Sequence, residues 1–108
     1  MIHATVKQEK LDEYLDLVKL LIKETTKKGC FCYSFNQRKD KPTEFVLYEQ
    51  WESQQDLDNH IKELFKILGP SKSGYPVPDK LMSMYEKVEP VFYDIVGHAQ
   101  QLNRSKVC

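Results

Sequence analysis

An α+β domain of β-α-β-β-α-β order is the fold class this sequence predicts, and three observations predict it. Residues 30–51 hold two aromatic-rich, strand-like runs separated by a polar turn containing Pro42. A segment whose apolar residues recur at helical spacing stands on each side of that pair. A further strand-like run lies towards each end of the chain. The order is that of a ferredoxin-like unit. At 108 residues there is room for one modest core, read as a single domain over 1–97 followed by a polar tail over 98–108.

The first strand is Ile2–Val6, with Ile2, Ala4 and Val6 on one face and His3 and Thr5 on the other. The period then changes. Leu11, Tyr14, Leu15, Val18, Leu21, Ile22 and Thr25 form the inner stripe of an amphipathic helix, with acidic residues leading and basic ones trailing as the helix dipole favours. Gly29 stands where a C-cap glycine would stop that helix. Cys30–Gln37 and Glu44–Trp51 are strands, and the short loop between them makes an antiparallel hairpin. A strand of eight residues spans roughly 26 Å and a helix of eighteen about 27 Å, so the first helix can lie along the hairpin.

Ser53 opens a second helix as its N-cap, with Asp56 as the capping-box-like partner. Leu57, His60, Ile61, Leu64 and Leu68 form its inner face, and Gly69-Pro70 ends it. Residues 71–78 read as a surface loop that can serve as a lid, Asp79 as the cap of a short helix over 80–87, and 88–96 as the last strand with Pro90 near its start.

Composition excludes several function classes. Sixteen basic and sixteen acidic residues cancel, leaving no electrostatic footprint for nucleic acid or an anionic membrane. Apolar runs as short as Leu20-Leu21-Ile22 span no bilayer, and the N-terminus enters a strand-like pattern without a signal-peptide core, so a cytoplasmic location is the expectation. Cys30 and Cys32, two apart in a strand, should share a face as reduced, half-buried thiols, because a disulfide between them would be strained. Cys108 should be an exposed thiol. His3, His60 and His98 show no metal-ligand spacing, and there is no glycine-rich phosphate loop or serine-nucleophile motif. Large apolar groups fall on both faces of the hairpin: Phe31, Tyr33 and Phe35 in one strand, Phe45, Leu47 and Trp51 against Val46 and Tyr48 in the other. Helices for only one face predict a homodimer packed sheet to sheet.

The runs GCFCYSF, EFVLYEQWES and LDNHI resemble the antibiotic biosynthesis monooxygenase-like family of dimeric α+β barrel proteins, which includes cofactor-free quinol monooxygenases. The matching positions are Gly29, Cys30, Phe45, Val46, Tyr48, Glu49, Trp51, Leu57 and His60. The chain departs from the family pattern in the direct KQEK join before the first helix and in the GPSKSGYPVPD segment after the second, so the pocket rim should differ. The resemblance implies oxidation of a small quinol-like or polyphenolic aromatic by dioxygen with no cofactor and no metal. His60, on an inner helix face and with an ordinary histidine pKa near 6.5, is the candidate base for a phenolic proton; a core histidine bonded to backbone or carboxylate would look the same in sequence. Trp51 can stack an aromatic ligand or simply fill the core. Glu49 alternates onto the face of Trp51, where a buried carboxylate needs a partner. Tyr48, Tyr33 and Asn36 are polar-tipped hairpin residues able to orient a substrate oxygen, and Tyr75 can close over a pocket.

Three alternatives share the scaffold. A proton-transfer isomerase would also use His60, and a non-catalytic small-molecule-binding or stress-related dimer would need no base. Haem degradation is disfavoured: relatives with that activity carry an Asn on the first strand, a Trp near position 60 and a ligating His further along the second helix. None of these is present here.

Overall fold

The computed structural model describes residues 1–25, 28–72, 77–94 and 96. Its elements are strand β1 (Ile2–Val6), a 3-10 turn (Gln8–Lys10), helix α1 (Leu11–Glu24), strands β2 (Cys30–Gln37) and β3 (Glu44–Trp51), helix α2 (Gln54–Leu68), a one-turn helix α3 (Asp79–Met82) and strand β4 (Tyr85–Pro90). The strands form one sheet in the order β2-β3-β1-β4, each neighbouring pair antiparallel. This is the ferredoxin-like α+β arrangement that the element order predicts.

Register sorts the side chains, because residues paired across strands share a face. Ile2 lies opposite Leu47 and Ala4 opposite Phe45. These residues meet Tyr14, Leu17, Val18 and Leu21 of α1 and Leu64 and Leu68 of α2 in a single core, so both helices cover the same face. Each fully buried leucine in that layer contributes about 1.5–3 kcal/mol of transfer free energy. The opposite face pairs His3 with Val46 and Glu89, Thr5 with Glu44 and Lys87, Asn36 with Val46, and Ser34 with Tyr48. It is mostly polar, with Val46 and Tyr48 as its large apolar-bodied groups. The expectation of two apolar faces is corrected here: Tyr33, Phe35, Phe45, Leu47 and Trp51 all belong to the helix-covered side.

Four local expectations also change. The first helix stops at Glu24, not at Gly29: Thr25 is extended (φ −90°, ψ 152°) and its hydroxyl donates to the Leu21 carbonyl at 2.6 Å, closing the last turn. Gly29, at φ 73°, instead leads into β2, and its carbonyl accepts from the Glu52 N–H at 2.6 Å. The α1 stripe is also rotated, burying Leu17 and leaving Ile22 41% exposed. Cys30 pairs with Trp51 and Cys32 with Gln50, consecutive residues of β3, so a bulge between the cysteines removes their expected common face. Both are free thiols.

The third helix covers only Asp79–Met82, because the Met84 carbonyl accepts from the Lys7 N–H at 2.9 Å and draws the chain into the sheet. The last strand therefore begins at Tyr85, and Pro90 ends it on the sheet edge, where a missing N–H is tolerated. Asp79 does not cap α3; the N-cap is Pro78, and the Asp79 carboxylate accepts from the Lys72 N–H at 2.8 Å. Tyr75, the centre of the 71–78 loop, His98, Cys108 and the tail over 98–108 lie outside the described residues.

Candidate active site

Strand alternation and a capped helix bring four of the six sequence-predicted site residues together. Along β3, Phe45 and Leu47 enter the core, and Glu49 and Trp51 continue the same face towards the start of α2. Tyr33 is the β2 partner of Glu49. The Ser53 cap, accepting from the Asp56 N–H at 3.2 Å, fixes where α2 begins. About two turns later His60 points inward on the stripe that carries Leu64 and Leu68.

His60 is 2% exposed and its Nδ1 is buried. The Trp51 ring lies 4.8 Å from the imidazole at a tilt of 36°, and Tyr33 meets it edge-on at 5.0 Å. Tyr33 and Trp51 are themselves 6.3 Å apart, so the three rings enclose one corner. The Trp51 indole N–H donates to Glu49 Oε1 at 3.0 Å.

Burial dominates the electrostatics. It raises the Glu49 carboxyl above its ordinary value, against the opposing pull of the Trp51 N–H and the N-terminal ammonium. Burial likewise raises the Tyr33 phenol, the charge of Glu49 adds to it, and a hydrogen bond with Thr25 works the other way. Deeper in the layer, Tyr14 and Tyr85 share a 2.9 Å hydrogen bond. Burial raises both, Tyr85 to about 12. The region is thus lined by phenols and a carboxyl whose pKa values burial raises, and an imidazole. These side-chain types can stack a planar ring and exchange a proton with a hydroxyl once His60, 2% exposed, is uncovered.

Sequence reasoning placed Tyr14 on an inner stripe but missed its pairing with Tyr85. The partners are 71 residues apart, and Tyr85 was read as helical. Their only signal in the sequence is a tyrosine on an otherwise aliphatic face.

Asn36 and Tyr48 are not part of this group. Alternation puts them on the open face, where Asn36 Nδ2 donates to Ser34 Oγ at 3.0 Å and to the Val46 carbonyl at 3.1 Å, and the Tyr48 hydroxyl to Gln50 at 3.4 Å. That face carries two open grooves. One, of about 560 Å³, is lined by His3, Asn36, Arg38, Lys87 and Glu89, among others; the other, of about 450 Å³, by Met1, Ser34, Asn36, Val46 and Tyr48. These grooves lie across the sheet from His60 and offer surface charges of both signs, so the candidate site is assigned on chemistry and not on volume. Among the described residues no three His, Cys, Asp or Glu side chains converge to hold a metal ion. No described helix is long and apolar enough to cross a membrane.

An antiparallel ferredoxin-like sheet with a histidine–aromatic corner under its helices defines a small α+β protein of the ferredoxin-like class. Residues 1–63 match the family model for antibiotic biosynthesis monooxygenase, and the chain belongs to that family, which includes monooxygenases. Among solved structures it is similar to a protein of Nitrosomonas europaea provisionally described as an antibiotic biosynthesis monooxygenase (TM-score 0.64, 21% identity, 88% of this chain and 86% of that one), a likeness of fold. It is also similar to a conserved protein of Methanosarcina mazei Go1 (TM-score 0.59, 28% identity, 82% of this chain and 83% of that one). No curated protein matches the chain.

Proposed function

We propose that this protein is a cofactor-independent monooxygenase that oxidises a small quinol-like or polyphenolic aromatic with dioxygen, acting in the cytoplasm as a homodimer. The observation that carries the reading is the enclosure of His60 between the rings of Trp51 and Tyr33, beside the half-buried Glu49. His60 takes a phenolic proton from the substrate, and the electron-rich anion passes electrons to dioxygen. One oxygen atom enters the ring and the other leaves as water, the four electrons coming from the quinol itself, which leaves as the hydroxylated quinone. Tyr33, and Trp51 once it has moved off the imidazole, flank the substrate ring, and the raised Tyr33 phenol remains a hydrogen-bond donor at neutral pH. Tyr48 and Asn36, on the open face, contribute to the interface between the two copies.

The test is oxygen uptake by metal-stripped protein with a panel of hydroquinones and naphthoquinols. Uptake is expected for at least one of them, with His60→Ala reducing it by about 10²–10⁴-fold, the usual contribution of a positioned general base. No uptake above buffer with any of the panel, with His60→Ala equally inert, would overturn the reading. Proton exchange or isomerisation in place of uptake would assign the isomerase chemistry instead.

A further inference from the structure

We propose that Glu49 is a positioning residue: its carboxyl tethers the Trp51 indole as a cover over His60, and the imidazole becomes reachable only when Trp51 swings away. The proposal rests on His60 being the functional group of the site.

At 2% exposure His60 meets no substrate atom in this arrangement, so something in contact with it has to move. Among the described residues two rings touch it, Tyr33 and Trp51. They are held differently. Tyr33 lies inside β2 with ladder partners on both sides of its own, Cys32 opposite Gln50 and Ser34 opposite Tyr48. It also packs edge-on against Phe35 at 5.5 Å and engages Thr25. Trp51 is the last residue of β3, pairs with Cys30 where the register slips, and is followed at once by the turn into α2. The residue is only half-buried.

Besides its ring contacts, the indole is held by the 3.0 Å bond from its N–H to Glu49 Oε1. Residues two apart on a strand share a face, so the carboxyl reaches along β3 to the N–H without bending the backbone. One hydrogen bond of ordinary net strength, about 0.5–1.5 kcal/mol, shifts an open–closed balance by about two- to tenfold. That is enough to keep the ring closed in the empty protein and still let a stacking aromatic displace it.

The test is labelling of the full-length protein with diethyl pyrocarbonate, read at His60 by peptide mass spectrometry, with the exposed His3 as internal reference. In the wild type His60 should label far more slowly than His3. Glu49→Ala should raise the His60-to-His3 ratio by about two- to tenfold, whereas Glu49→Gln, whose amide oxygen accepts the same N–H, should restore it nearly to wild type. Trp51 is the only tryptophan, so acrylamide quenching of its fluorescence should rise in the Ala variant and not in the Gln variant. Should Glu49→Ala fail to fold, Trp51→Phe keeps a ring without the N–H and should speed labelling to the same degree. An unchanged ratio in a folded Glu49→Ala or Trp51→Phe protein, or a Gln variant as fast as the Ala variant, would overturn the tether. Labelling needs neither quinol nor oxygen, so the tether and the monooxygenase reading can fail separately.

Discussion

At Glu49 burial and hydrogen bonding pull in opposite directions, and burial wins. The consequence for stability has a definite sign. A carboxyl whose folded pKa is raised contributes fully below its unfolded value, and that contribution is lost as pH rises through the folded value. Glu49→Gln removes the titration, so the variant's stability relative to wild type should be more favourable at pH 7 than at pH 4. Denaturant midpoints at the two pH values measure this, and parallel pH curves would contradict it. The residue scale is also where the sequence is least legible. Helical spacing and strand alternation put His60, Glu49 and Trp51 on inner faces, and they are found there. Alternation alone could not say which face of the hairpin the helices would cover, and so Tyr48 and Asn36 were grouped with residues that lie across the sheet from them. Contacts such as Tyr14 with Tyr85 depend on topology and leave no local trace.

At the scale of elements, the hairpin and the second helix were readable because each has chemistry at its boundaries: Pro42 in the turn, Ser53 at the cap, Gly69 at φ 93° at the exit. The elements misjudged had weaker or conflicting signals. Helix α1 ends through a threonine's own hydroxyl, which mimics continued periodicity, and residues 85–90 are drawn into β4 by pairing with β1, which overrides local helical spacing. Gly29 shows how a boundary residue can be needed for a reason other than the one expected of it. Its φ of 73° is left-handed, and a Cβ there would run into the Asp56 carboxyl in the first turn of α2. Gly29→Ala should therefore cost about 1–2 kcal/mol from backbone strain, plus whatever Asp56 loses by moving aside. Ser53→Ala, which removes the cap, should cost about 1 kcal/mol. Because both sites act through Asp56, the double variant should lose less than the sum of the two. Chemical denaturation of the three proteins checks this, and strict additivity would rule out the coupling.

For the whole molecule, the helices cover one face of the sheet, and the other face is left with Val46 and Tyr48 at the centre of polar surroundings. Further apolar area is exposed in one edge strand and just past the other: Phe31, in β2, is 61% and Phe92, after β4, 87% exposed. A second copy laid sheet to sheet supplies about 800 Å² per partner in an interface of standard size. In the proposed dimer Val46, in a central strand, sits in the middle of that contact, whereas in the isolated chain its substitution disturbs no core residue. A charge introduced at that position would be desolvated without a partner, at a cost on the order of 3 kcal/mol or about a hundredfold in Kd. Wild-type protein should therefore scatter light with about twice the 12.7 kDa chain mass at micromolar concentration. Val46→Glu should scatter as a single chain with an unchanged circular dichroism spectrum. A wild type of single-chain mass would remove the dimer altogether, and a Val46→Glu protein that stays at double mass would move the interface away from the open face.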